Sequence, residues 1–232
     1  MDAEAAAGRG PAGRSVVRRG RPPRELAGKV DERILDAAAK VFLERGFNGA
    51  SVDEIAEVAC AGKPTIYARF ANKETLFTAV IERLVRRNTR YEGITCAGAS
   101  IVERLEALAA IILGRVLAPE TIGLIRVAIA EARRFPELAT RVSRMGRERQ
   151  AEAVSRLLAE FAESEPTRPL PAFAAHRLPE TAQRFLNLTV LPLMLRALFG
   201  EDLAVLRAEI GPHAARSVAF FLAACSCADH VC

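Results

Sequence analysis

Apolar residues recur at helical spacing from Val30 onward. Val30, Ile34, Leu35, Ala38, Val41 and Phe42 fall on one face of a first helix. Gly46 ends that run, because glycine enters the left-handed conformation of a helix C-terminus without strain. Ser51 with Glu54 three residues on reads as a capping box for a second helix, whose inner face is Ile55, Ala56 and Ala59. A break at Cys60, Ala61 and Gly62 leads to a short segment, 63–70, whose apolar pair Ile66 and Phe70 is spaced i, i+4. Asn72 caps a fourth helix with Leu76, Phe77, Val80, Ile81, Leu84 and Val85 inward.

Longer helices follow, with no period-2 strand signature. Ser100 and Glu103 form another capping box ahead of Leu105, Leu108 and Ile112, Pro119 opens a helix carrying Ile122, Ile125 and Ile129, and Pro136 opens a long one that reaches Phe161. Four prolines in 164–179 make a loop. Two helices then remain, 179–199 and 212–224, with a helical lead-in over 203–210. The pattern predicts an all-α fold: a basic arm over 1–28 without structure, a three-helix helix-turn-helix domain over 29–90, and a larger helical domain over 91–232.

Charge adds an asymmetry. The 232 residues hold 33 basic and 28 acidic side chains, a net +5. Residues 9–24 contain six arginines and no acid, so the rest of the chain nets −1. A near-neutral globule with a cationic arm suits a polyanion, either nucleic acid or an anionic membrane surface. The most apolar stretch, 185–199, is broken by Asn187, Pro192 and Arg196, which argues against a membrane span, and no apolar segment follows the N-terminal arginines, which argues against a secretory signal. A cytoplasmic protein with free thiols is expected. Scarce aromatics (6%) disfavour a stacking platform for single-stranded nucleic acid.

Two short helices joined by a three-residue turn, 51–59 and 63–70, read as a helix-turn-helix, in which the first helix braces the second for entry into the major groove. With Ile66 and Phe70 anchoring the second helix, Lys63, Pro64, Thr65, Tyr67, Ala68 and Arg69 are left available to DNA. The block from Asp31 to Leu84 resembles the DNA-binding domain of the TetR/AcrR family of bacterial transcriptional regulators. The resemblance rests on Ala39-x-x-Phe42, Gly46-Phe47, Thr65-Ile66-Tyr67-x-x-Phe70 and Asn72-Lys73-Glu74 with Leu76-Phe77. It implies a homodimeric regulator, a repressor by family default, that binds a palindromic double-stranded DNA operator and leaves it when a small effector binds the second domain. It further implies that Thr65 and Tyr67 contact phosphates or base edges, that Lys63 is the basic residue opening the recognition helix, and that Lys73 clamps a phosphate at a helix N-terminus. Pro64 and Arg69 occupy base-reading positions, arginine by a bidentate contact to guanine, and Ser51 completes the candidate contacts.

The turn departs from the family's Gly-Val-Ser. Cys60 carries strain of about 1 kcal/mol if its φ is positive, and Gly62 caps less well than serine. In the arm, Arg19-Gly20-Arg21-Pro22 matches the core of an AT-hook, whose arginines lie along a narrow minor groove; a sequence-blind cationic tail is the alternative.

The predicted 179–199 helix is apolar nearly all round from Phe185, so it needs burial on two sides. Together with the last helix, it puts Leu191, Leu195, Leu198, Val218, Phe221 and Leu222 forward as dimer-interface residues. Pro192 predicts a kink where its missing N–H leaves Leu188 without a partner. Leu105, Leu108, Ile112, Ile125, Ile129, Phe185 and Met194 are candidates to line a pocket for a hydrophobic effector. Residues 130–138 resemble one sub-branch of the family. Three histidines without a metal, nucleophile-elbow or phosphate-loop motif argue against an enzyme, and no cofactor is expected. Cys225, Cys227, His230 and Cys232 are weak candidates for a metal or redox sensor, since their spacing is not that of a standard finger. A sequence-blind architectural DNA-binding protein is the other alternative.

Overall fold

The computed structural model describes residues 24–90, 100–164 and 171–226. The arm with Arg19 and Arg21, and the tail with Cys227, His230 and Cys232, lie outside the described residues. Among those described there are helices and no strand. Helix α1, Arg24–Gly49, begins before the 1–28 arm was expected to end, and Gly46, with φ 69°, breaks its regular geometry. Helix α2 is Val52–Val58 and α3 is Lys63–Tyr67. Helix α4, Lys73–Asn88, starts with a reciprocal box between Asn72 and Thr75. Ser51 accepts from the Glu54 amide, but only half of its expected box forms, because the Glu54 carboxylate pairs with Arg45 Nε at 3.2 Å.

Helices α5 (Ile101–Val116), α6 (Pro119–Ala130) and α7 (Pro136–Ser164) follow, then a single 3-10 turn at Pro171–Phe173. The expected kinked helix over 179–199 is two helices, α8 (Leu178–Thr189) and α9 (Leu191–Leu198). Pro192 breaks the ladder, and α11 takes up the released carbonyls. From α11 (Ile210–Ser226), Ser217 Oγ donates to Leu188 O at 3.3 Å and His213 Nε2 lies 2.8 Å from Thr189 O. The short α10, Leu203–Ala208, is capped by Asp202.

Packing divides the apolar residues into three clusters. The first gathers α1 to α4 around Phe42, Phe47, Ile55, Ile66 and Phe77, yet it also takes Leu124 from α6 and Leu138 from α7. The second joins α5, α7, α8 and α11. The third, smaller one holds Leu113, Ile122, Leu193 and Leu206. Four of the pocket candidates, Leu105, Leu108, Ile112 and Phe185, are packed into the second cluster, at most 2% exposed. Val218 and Phe221 are buried there too, so they are core rather than dimer-facing. An apolar stripe alone does not distinguish filled core from the wall of a void or an external face.

Because the first cluster is closed by residues from α6 and α7, its stability depends on them. Leu138→Ala is expected to lower the unfolding free energy by about 2–4 kcal/mol. Urea denaturation followed by helical circular dichroism checks this; a loss under about 0.5 kcal/mol would show that Leu138 does not close that core.

Candidate nucleic-acid interface and effector cavity

The recognition segment sits on α1 and α2 through Ile66, which is 1% exposed, with Phe70 half-buried beside it. Its outer surface presents Lys63, Pro64, Tyr67 and Ala68, with Thr65 half-exposed and Ser51 exposed at the start of α2. Tyr67 is 50% exposed, unusual for a large aromatic without a partner surface. Lys63 pairs with Asp53 of α2, which raises its pKa, so it stays cationic.

Two predicted contacts are placed differently. Arg69 is not free to read a base: its guanidinium is tied to Asp31 of α1 and donates to Thr65 O at 3.3 Å. It braces the recognition segment against α1. Lys73 does not extend outward as a phosphate clamp; its ammonium donates to Phe47 O and Ala50 O, both at 2.9 Å, and lies 4.6 Å from the Phe47 ring centre. These carbonyls, in the last turn of α1 and just past its end, accept no helical amide, and an ammonium on a short reach satisfies both. Sequence spacing could not reveal either role, since Asp31 and Phe47 lie far from their partners along the chain.

The turn itself carries strain. Cys60 has φ 47°, the one non-glycine residue at positive φ among those described. Its carbonyl accepts from Arg33 Nη2 at 3.3 Å, which helps to fix this conformation. Gly62 caps α3 in extended conformation with no side-chain hydrogen bond.

Behind the helix-turn-helix lies an aromatic joint. The Phe47 ring meets Phe77 at 5.0 Å and Phe135 at 5.1 Å, in edge-on contacts. Arg134 covers Phe47 at 4.9 Å and donates to Asn48 Oδ1 at 2.9 Å and Glu74 Oε1 at 3.3 Å. Asn48 in turn donates to Glu131 at 3.1 Å. The turn from α6 into α7 is thus latched to the end of α1 and the start of α4. Sequence reading missed this latch, although Phe135-Pro136 at a helix boundary was visible.

Beyond the joint, α4, α6 and α7, with residues of α5 and α9, line a half-open cavity of about 460 Å³. Ile125, Ile129 and Met194 line it among the pocket candidates, and so does Leu198, expected at the dimer interface. Phe77, Ile81, Leu84, Phe135 and Leu138 are shared with the helix-turn-helix core or the joint. Helix α9 is held against α6 by Arg126, which donates to Ala197 O and Leu198 O. Of the other interface candidates, Leu191 and Leu195 are exposed at 40% and 42%, while Leu222 packs partly on the second core.

Cys225, the described member of the Cys/His group, is 5% exposed in the second core, and burial pushes its thiol up to about 11. A buried protonated thiol is a poor metal ligand. No group of three potential metal ligands occurs among the described residues. None of the described helices is singly long and apolar enough to cross a membrane.

Residues 34–80 match the model for bacterial regulatory proteins of the tetR family, and residues 103–226, more than half the chain, match the C-terminal domain of AefR-like transcriptional repressors. The chain belongs to the TetR family of transcriptional regulators. The repressor ComR of Escherichia coli is 42% identical over 71 residues, which cover 30% of this chain and 31% of ComR. The activator FasR of Mycolicibacterium smegmatis is 45% identical over 58 residues, covering 24% and 26%. The match to these curated relatives thus spans less than a third of their length. The solved structure of the flavonoid-responsive regulator FrrA is 30% identical with a TM-score of 0.61, covering 85% of this chain and 97% of that one. A TetR-family protein of Mesorhizobium loti is 26% identical with a TM-score of 0.66, covering 85% and 96%. This TetR-family chain is a DNA-binding transcriptional regulator rather than an enzyme.

The strain at Cys60 is directly measurable. Cys60→Gly removes the Cβ that the left-handed conformation disfavours, at the cost of a freer unfolded chain, and is expected to stabilise the protein by about 0.5 kcal/mol. A lower urea midpoint for Cys60→Gly would contradict the strain.

Proposed function

We propose that the protein is a homodimeric repressor that binds a palindromic operator through paired α3 segments and releases it when a small molecule enters the cavity behind the aromatic joint. The single observation carrying this reading is the shared wall. Phe77 and Leu138 belong both to the core under the recognition helix and to the cavity lining. A ligand that favours a different spacing of α4 and α7 must therefore change DNA affinity by the same coupling free energy.

Repression is favoured by the AefR-like repressor match over most of the second half. A small-molecule effector is supported by the cavity and by the relative named for its response to flavonoids. Dimerisation is supported by apolar side chains left exposed on α9, at its C-cap and on α11: Leu191, Leu195, Phe199 at 89% and Phe220 at 65%. A second copy covering this face gives an isologous contact and two recognition helices for two half-sites. The DNA contacts proposed from exposure are Lys63 and Thr65 to phosphates, Tyr67 and Pro64 toward base edges and Ser51 at the flanking backbone; Arg19 and Arg21, proposed from the sequence motif alone, would lie in the adjacent minor groove. The domain division is 1–28, 29–90 and 91–232, with the first boundary drawn back to the start of α1.

Selection of binding sites from random duplex DNA at about 150 mM salt tests the reading. The expected product is a palindrome with half-site centres about one helical turn apart. On that site Lys63→Ala should weaken binding and lower the salt slope by about 1. A pool without sequence preference would instead favour a sequence-blind architectural protein.

A further inference from the structure

Of the five helices that line the cavity, α4, α6 and α7 supply most of its wall in a shared register. A Cβ on Gly146 of α7 would lie 3.7 Å from Val85 of α4, and the Phe135 ring ahead of α7 lies 6.1 Å from Phe77. Helices α4 and α7 therefore run in the same direction along the void. Helix α6 runs the opposite way, since Asn88 near the end of α4 donates to Thr121 near the start of α6 at 3.1 Å. The register brings polar side chains together at one end: Asn88, Thr121, Arg147 and Gln150. At the other end stand Phe77, Phe135 and Leu138, against the aromatic joint. Gly146, without a side chain, widens the middle.

We infer that the cavity takes an amphipathic monoanion, a carboxylic acid with an extended apolar body, its head at Arg147 and its body toward Phe77 and Phe135. This rests on the reading of the cavity as the effector site and names the ligand class for it. Among the described residues Arg147, solvent-exposed where it lines the cavity, and Gln150 have no hydrogen-bonding or ionic partner, whereas Asn88 donates to Thr121. An unpaired guanidinium offers a planar fork with a permanent charge, which matches a carboxylate in two parallel hydrogen bonds. No Asp or Glu lines the cavity, so a cationic head would meet only like charge. The remaining wall is almost wholly apolar, and burying a hydrocarbon or aromatic body there supplies most of the affinity. One arginine balances one negative charge, which disfavours phosphate esters carrying two.

Calorimetric titration of the full chain with dodecanoate, dodecanol and dodecylamine, each below its aggregation concentration, holds the body constant and varies the head. Dodecanoate should bind about 10-fold tighter than dodecanol, and dodecylamine weakest. Arg147→Gln should reduce the acid's advantage to within about 2-fold while leaving dodecanol affinity unchanged. Gly146→Leu, which fills the middle and favours the helix, should abolish binding of both with the thermal transition retained. Equal affinity for acid and alcohol, an advantage that survives Arg147→Gln, binding that survives Gly146→Leu, or no binding at all would each overturn the assignment. Dodecanoate binding that follows this pattern without changing operator affinity would support the ligand class and contradict the effector role.

Discussion

The rest of the structure depends on the contact among Phe47, Phe77 and Phe135. Phe47 closes α1, Phe77 lies one turn into α4, and Phe135 precedes α7, so three separate parts of the chain meet in one aromatic joint. Edge-on aromatic contacts of this kind are worth about 0.5–1.5 kcal/mol each beyond the area they bury. Lys73 and Arg134 lie over Phe47 and bind the polar groups at its rim, which leaves little freedom for the end of α1. The helix-turn-helix is consequently not closed by its own residues.

In the proposed reading, that constraint is what gives the cavity its reach. A close-packed core moves between discrete arrangements rather than deforming smoothly. A ligand that alters the spacing of α4 and α7 must repack Phe77 and Phe135 and, through Phe47, shift the frame on which the recognition segment sits. Arg69, tied to Asp31, passes a movement of α1 to α3 as one body. The strained Cys60 turn, fixed by Arg33, belongs to the same frame.

The all-α class, Gly46 as a helix breaker and the caps at Ser51, Asn72 and Ser100 were legible in the sequence because each is a local effect within one helical turn. The helix-turn-helix was legible because the motif residues are contiguous. What the pattern could not show was partnership at long range. Arg69 and Lys73 looked like DNA contacts by position, and only the fold brings Asp31 and the end of α1 to them. Likewise Leu105, Ile112 and Phe185 carry the same apolar period as Ile125 and Ile129. The first three meet neighbours on every side, while the latter two face a void, and periodicity is identical in the two cases. The single predicted helix over 179–199 became two because Pro192 has no N–H, and the Leu188 and Thr189 carbonyls find side-chain partners on α11, Ser217 and His213, that support a full break rather than a kink.

Whether the joint couples the two halves is decided most directly by amide hydrogen exchange on the full chain carrying Phe135→Ala. If the joint is shared, exchange accelerates together at the end of α1, the first turns of α4 and the recognition segment, as well as at the start of α7. Acceleration confined to α7, with α1 to α4 as protected as in the native chain, would show that the helix-turn-helix stands alone and that the cavity has no route to it through these rings.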